Sequence, residues 1–508
     1  MIHSPLTVNV MLWGTWIGRL SWDANKQLSV FQFTDDYLKC PYDICPTTHR
    51  KGTGKPAAFF GKAGELYQGL PEFIADSLPD KWGSSLFDRW MTDNNVSLMD
   101  STPLLKLSYI GKRAMGALEF IPDYPEENDM DSLNISSLAD LAAEVYKDRS
   151  KAVLSGIESI TMKKLIYLGT SAGGKRPKAV VAYNPKTGEF RSGQVDLPED
   201  FTHYIIKFKE DPETPTSEIE MIWHEMAKES GISMMPCFLK EVDGINHFIT
   251  ERFDRIGSEK VFTQTLAAIM PGADDYLKLA WLSNTLGLPQ EDRDQIFIRM
   301  VFNYVAGVSD DHSKNFSFIM DKNGRWRLSP AYDVMFTANI WEDRSAYIHS
   351  LGIMGKKSAV TIADFMDFAE DFVENPKAMI DRVINAVAKF GQWCDHYNVD
   401  AGTKKLIQNA LDFIRPREMA FSGIFNQLFI TLSDTIRSSS LYHFHVKPGN
   451  GKGQAVRPNR RVPGRCTVIA PQSGNCGVRI WTFRRLLEPQ LHRKLPERRR
   501  RRTTLAFP

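Results

Sequence analysis

Apolar and polar positions alternate from Val8 to Phe33, interrupted at Gly14 and Gly18, and this period of two predicts small antiparallel hairpins. A polar, glycine-rich loop follows over Thr47–Lys55. Beyond Pro79 the spacing changes. Trp82, Leu86 and Trp90 recur every four residues, which predicts a helix, and Leu107–Asp123 closes a first unit with a short strand. Glu126–Ser150 reads as a polar connector of helical character, with a boundary near Asp148.

A second unit opens with predicted strands on both sides of a glycine-rich stretch, "KLIYLG" and "KAVVAYN", followed by a turn at Pro185–Gly188. Thr202–Phe208 ("THYIIKF") is a further β-branched strand. Ser217–Ile232 has helical spacing, with Ser217 and Glu220 as a candidate capping box. Gly244–Arg255 predicts a strand and a turn. From Thr263 to about Ser438 the pattern is mostly helical, interrupted by one loop-and-strand segment, Gly307–Val334. A β-rich lobe thus precedes a helical lobe, an α+β chain.

Composition narrows the class. An apolar content of 43% and a charged content of 24% are ordinary for a soluble globular protein. No apolar run of about 18 residues suggests a membrane span, and the opening residues lack the pattern of a secretion signal. Cys40, Cys45, Cys237, Cys394, Cys466 and Cys476 form no CxxC pair and read as reduced thiols of a cytoplasmic protein. Residues 445–508 carry 16 Lys and Arg against 2 Asp and Glu, a balance of +14. With 63 basic and 61 acidic residues in the whole chain, the preceding body balances to −12 and does not advertise nucleic-acid binding. The tail lacks periodicity and reads as largely disordered, either a solvated extension or an out-of-frame readthrough with no selected function, with a basic nucleic-acid-binding arm as the alternative.

Two stretches carry candidate chemistry. "LGTSAGGKRPKAV", Leu168–Val180, has the G-x-x-x-x-G-K spacing of a phosphate loop, but Arg176 stands where Ser or Thr would hold magnesium. The second stretch is Gly307–Phe336. Asp310 and Asn315 have the D-x-x-x-x-N spacing of a kinase catalytic base and metal ligand, and Asp333 follows after a Gly324 turn as a second hard oxygen ligand. Asp311 lies one residue too close to Asn315, so the spacing favours Asp310. His312 lacks the partners of a zinc site and is expected to contact nucleotide phosphates or support the base. Lys207, inside an apolar strand, is a candidate phosphate lysine with Glu220 on the next helix as its partner. Glu251–Phe253 could present backbone groups to a base, as hinge segments do.

Taken together, "GTSAGGKRPKAVV", "HYIIKF", "ERFDR", "GVSDDHSKNFSF" and "SPAYDV", with "SLPDKWG" and "LSYIGKRAMGALEF" upstream, resemble HipA-type toxins, serine/threonine kinases of type II toxin–antitoxin modules. The resemblance spans about residues 7–440. It implies a two-lobed protein-kinase-like fold: an N-terminal α/β subdomain (1–148), a nucleotide-binding part of the N-lobe (149–260), an all-helical catalytic C-lobe (261–444) and a tail (445–508) that inherits nothing. It further implies ATP- and Mg2+-dependent phosphorylation of a protein hydroxyl, with glutamyl- or tryptophanyl-tRNA synthetase as the family's targets. Position by position, Asp310 matches the catalytic aspartate, Asn315 and Asp333 the magnesium ligands, and Lys207 the ATP-phosphate lysine. Glu251 and Phe253 match the nucleotide-contacting hinge, Lys178 the ATP-facing loop, and Ser171 the serine whose autophosphorylation inactivates the kinase. Asp311 replaces a glycine often found there, and Tyr332-Asp333-Val334 replaces the D-F-G of ordinary protein kinases. The implied partner is a helix-turn-helix antitoxin of HipB type, with DNA contacted only through it and no membrane. Two alternatives stay open: a corepressor with vestigial kinase activity, and a small-molecule kinase of the same fold.

Overall fold

The chain divides into one compact unit, Met1–Thr435, and a C-terminal unit, Ile436–Pro508. The structure, a computed structural model, describes residues 4–52, 57–97, 101–124, 132–147, 156–171, 174–194, 197–337 and 347–414, so the basic tail and the boundary near Asp148 lie outside the described residues.

Five antiparallel strands open the fold: β1 (Thr7–Leu12), β2 (Thr15–Asp23), β3 (Leu28–Phe33), β4 (Ala58–Phe60) and β5 (Leu118–Ile121), in the order β4-β3-β2-β1-β5. The alternation seen in the sequence turns Val8, Val10, Leu12, Leu20 and Phe31 into the core. Gly18 is required by close packing, since a Cβ there would lie 2.1 Å from the Phe31 ring. Helices α1 (Asp35–Lys39), α2 (Glu72–Ala75), α3 (Lys81–Asp93) and α4 (Pro103–Ile110) lie between β3 and β5 in the chain, with α1 and α4 against this sheet, and α5 (Ile135–Lys147) follows β5.

The expected strand "KLIYLG" is the end of a helix, α6 (Gly156–Gly169). Met162, Leu165 and Ile166 recur at helical spacing and join one core with Trp82 and Leu86 of α3. A short apolar run suits either state, and the tertiary partner decides between them.

The central sheet has the order β7-β6-β8-β10-β9, built from β6 (Lys178–Tyr183), β7 (Phe190–Ser192), β8 (Thr202–Lys207), β9 (Cys237–Val242) and β10 (Ile245–Glu251). Its two faces have different jobs. Ala179, Val181, Ile206 and Ile249 pack into the α3–α6 core. The alternate residues Lys178, Ile205, Lys207, Phe248 and Thr250 face a cavity, with Lys178 and Phe248 both in register with Lys207. Helix α7 (Thr216–Glu229) begins one residue earlier than expected and its N-cap is Pro215. The Ser217–Glu220 capping box therefore does not form, because Ser217 lies within the helix and the Glu220 carboxylate is engaged by Lys207.

After a small ribbon of β11 (Arg255–Ile256) and β12 (Glu259–Lys260), the C-terminal lobe is helical: α8 (Leu266–Ile269), α9 (Tyr276–Thr285), α10 (Gln290–Val305), α11 (Ile362–Ala369), α12 (Pro376–Val387), α13 (Phe390–His396) and α14 (Ala401–Ile414). It is not all helix. Strands β13 (Phe262–Thr265), β14 (Ser317–Met320) and β15 (Trp326–Leu328) form a three-stranded sheet, so the stretch beginning at Thr263 starts as strand. This sheet carries the Gly307–Val334 segment against α10. No helix among the described residues is long and apolar enough to cross a membrane.

Candidate active site

A cavity of about 1410 Å3 opens where the first subdomain, the central sheet and the C-terminal lobe meet. Its lining includes the eight residues singled out for catalysis, nucleotide and metal, from Lys178 on β6 to Asp333 beyond β15. Ser171 is not among them. It lies just past α6, buried, where its hydroxyl accepts a 2.7 Å hydrogen bond from Gln194 Nε2.

On the sheet side, Lys207 Nζ pairs with Glu220 of α7 and with Asp333 Oδ1 at 2.6 Å. Burial by itself would push the Lys207 ammonium down, but the carboxylates of Asp333 and Glu220 outweigh it and raise its pKa. The same proximity, Lys207 first and Lys178 next, holds the Asp333 carboxyl well below the usual carboxylate range. Asp333 has φ +55°, a left-handed conformation that aspartate tolerates better than most residues and that is common where a side chain is aimed at a functional site. Lys178 is buried beside them, and desolvation, helped by the Lys207 charge, pushes it down to about 8.

On the C-lobe side, the loop after α10 separates two adjacent aspartates. Asp311 is fully buried and accepts from Tyr276 Oη (2.8 Å), Ser350 N (2.8 Å) and Leu351 N (3.3 Å), with His349 Nδ1 at 3.1 Å. Asp310 instead shows half of its side chain to the cavity, with His312 Nε2 3.9 Å from its Oδ1. Of the two, Asp310 lines the cavity and Asp311 does not. Its own amide is held by Thr337 Oγ1 at 3.0 Å, and Asn315 Nδ2 donates to its carbonyl at 2.8 Å, which leaves the Asn315 Oδ1 as an available acceptor. Across the cavity, Phe253 stacks on Tyr332 with ring centroids 5.6 Å apart. The amides of Glu251 and Arg252 are engaged by Pro236 O (2.9 Å) and His203 O (3.0 Å), so of the proposed hinge the Phe253 end is the part open to a base.

The residues fit a nucleotide with magnesium. Asn315 and Asp333 supply hard oxygens, Lys178 and Lys207 supply cations, and the His312 Nδ1 is a buried polar atom without a hydrogen-bond partner among the described residues. No group of three or more His, Cys, Asp or Glu gathers at ligand distance among the described residues.

Comparison with known proteins places the chain in a family. The family model of the HipA N-terminal domain matches residues 8–121, and that of the HipA-like C-terminal domain matches residues 170–393. The chain belongs to the HipA family. It is 23% identical over 372 residues to the serine/threonine-protein kinase toxin HipA of Shewanella oneidensis, covering 66% of this chain and 76% of that protein. Its fold is similar to the solved Shewanella oneidensis MR-1 complex of HipA, HipB and operator DNA, with TM-score 0.53, 17% identity, and coverage of 80% of this chain and 95% of that one.

Within this HipA-family site, sequence reasoning missed Asp80. This residue of the first subdomain lines the cavity, contacts Lys314 Nζ at 2.5 Å and accepts the Gly174 N–H at 2.8 Å. The "SLPDKWG" stretch was the available signal, but nothing local tells that its aspartate reaches across 94 and 234 residues.

Proposed function

We propose that the chain is a serine/threonine protein kinase toxin of a type II toxin–antitoxin system, transferring the ATP γ-phosphate to a protein hydroxyl. One observation carries the reading: Asp310, Asn315, Asp333 and the Lys207–Glu220 pair, drawn from distant parts of the chain, converge on one cavity. In this reading Lys178 and Lys207 receive the phosphates, Phe253 and Glu251 border the base, and His312 reaches the phosphates or supports Asp310. Asn315 and Asp333 would hold Mg2+, which when bound neutralises phosphate charge as it develops. Asp310 orients the substrate hydroxyl and takes its proton. The hydroxyl oxygen forms the new bond to the γ-phosphorus, the bond to the bridging oxygen breaks, and ADP leaves. Positioning and charge complementarity then supply most of the rate.

The target class is an aminoacyl-tRNA synthetase, glutamyl or tryptophanyl, as the family resemblance implies. The partner is a helix-turn-helix antitoxin of HipB type, which contacts DNA on the toxin's behalf; the composition of the solved Shewanella complex supports this. Ser171 is the self-inactivation site, and the protein acts in the cytoplasm. The test is a phosphoproteome of cells expressing the wild-type protein or an Asp310→Gln variant. New phosphoserine or phosphothreonine confined to the wild type supports the kinase, and identical profiles contradict it. Intact-mass analysis of the two synthetases after incubation with ATP then tests the target.

A further inference from the structure

Asp80 occupies the position just before α3, where an aspartate ordinarily caps its own helix, yet it makes no side-chain cap bond. Its carboxylate leaves the first subdomain instead. Oδ1 lies 2.5 Å from Lys314 Nζ in the catalytic loop, and Oδ2 accepts from Gly174 N at 2.8 Å.

The start of α3 makes further contacts with the same glycine-bearing stretch. The Trp82 amide donates to Gly174 O at 3.2 Å, and its indole Nε1 donates to Lys178 O at 2.8 Å. Gly83 approaches so closely that a Cβ on it would lie 2.2 Å from Thr170 O. Asp80, Trp82 and Gly83 therefore grip Thr170, Gly174 and Lys178 from one side, while Asp80 also ties Gly174 to the catalytic loop on the other.

Lys314 sits four residues after Asp310 and one before Asn315, and it lines the cavity. Lys178 and Lys207 stand on the sheet wall, so Lys314 is the cation on the wall that carries Asp310. A terminal phosphate reaching Asp310 would meet it, and a charge-assisted contact there strengthens as negative charge gathers on the transferring group. Burial would raise the Asp80 carboxyl, but Lys314 foremost, then the Gly174 amide and Lys178, hold it below the usual range, so it stays anionic in this role.

We propose that Asp80 is a positioning residue for phosphoryl transfer: through Lys314 it sets the cation that meets the terminal phosphate, and through the Gly174 amide it holds the glycine stretch beside the nucleotide. The proposal rests on the kinase reading above and assigns the first subdomain a part in the site.

A double-mutant cycle tests it on the full chain, with affinities for ADP and for a non-hydrolysable ATP analogue measured by calorimetry. Lys314→Met should bind ADP like the wild type but lose about tenfold on the ATP analogue. Asp80→Asn keeps an acceptor for Gly174 but presents an amide to Lys314. It should show the same selective loss, and the double variant should be no worse than Lys314→Met alone. Equal losses on both nucleotides, additive losses in the double variant, or an unaffected Asp80→Asn would each overturn the proposal while leaving the kinase reading intact. A wild-type protein that binds neither nucleotide contradicts both. Hydrogen exchange of the nucleotide-free protein supplies an independent arm: Asp80→Ala should speed exchange in the peptide carrying Gly174, and unchanged exchange contradicts the grip.

Discussion

Lys207 and Asp333 stand 126 residues apart in sequence and 2.6 Å apart in space. Glu220 meets the same ammonium from α7, so one lysine joins the central sheet, the adjacent helix and the segment that follows the catalytic loop. Removing the cation leaves the buried Glu220 carboxylate without its partner. Lys207→Met should therefore cost about 3–5 kcal/mol of stability in denaturant unfolding as well as nucleotide affinity, and Lys207→Met/Glu220→Gln should recover part of the stability alone.

Lys178 makes the site sensitive to alkaline pH. Its folded-state value of about 8 lies below the ordinary 10.5, so between these values the folded protein binds fewer protons than the unfolded chain. Its contribution to stability therefore rises with pH across that window. Affinity for ADP should move the opposite way, level below about pH 8 and falling by at most about tenfold per unit above it as the cation is lost. Titration calorimetry from pH 7 to 9 checks this, and Lys178→Met should flatten the profile.

Ser171 is buried and bonded to Gln194, a place that cannot hold a phosphate as it stands. A group of about −1.5 to −2 charge must leave such a position, carrying the neighbouring backbone with it. Ser171→Ala should keep the initial rate of phosphate transfer and abolish its decline during prolonged incubation with ATP. A decline at the wild-type rate would exclude this serine as the switch.

Asp311 anchors residues 349–351 behind the loop that follows α10. Replacing it with Gly leaves buried donors without an acceptor, at about 1–3 kcal/mol each. Thermal unfolding should shift down and transfer should slow, while metal-free ADP affinity, for which Lys178 and Lys207 of the sheet wall supply the cations, changes less than transfer does.

Much of this was legible in the sequence where the signal is local. The alternation from Val8 to Phe33 prescribes the first hairpins, and counting five residues from Asn315 favours Asp310 over Asp311, of which the fold buries Asp311 and leaves Asp310 half exposed on the cavity. Local signals fail where tertiary contacts decide. "KLIYLG" is helical because α3 packs against it, and Ser217 gives up its capping role because the chain turns into α7 one residue sooner. Asp80 is the clearest case. An aspartate before a helix looks like a cap, and only the fold reveals that its carboxylate serves two other segments.

The central claim is that Asp310 drives phosphate transfer from ATP. Wild-type protein and Asp310→Asn, matched for fold by circular dichroism and for ADP affinity by calorimetry, are incubated with ATP labelled in the γ-phosphate, and label on protein serine or threonine is counted. The account predicts incorporation by the wild type and its loss in Asp310→Asn with ADP affinity unchanged. Equal incorporation by the two, or none by the wild type on itself and on either synthetase, would contradict it.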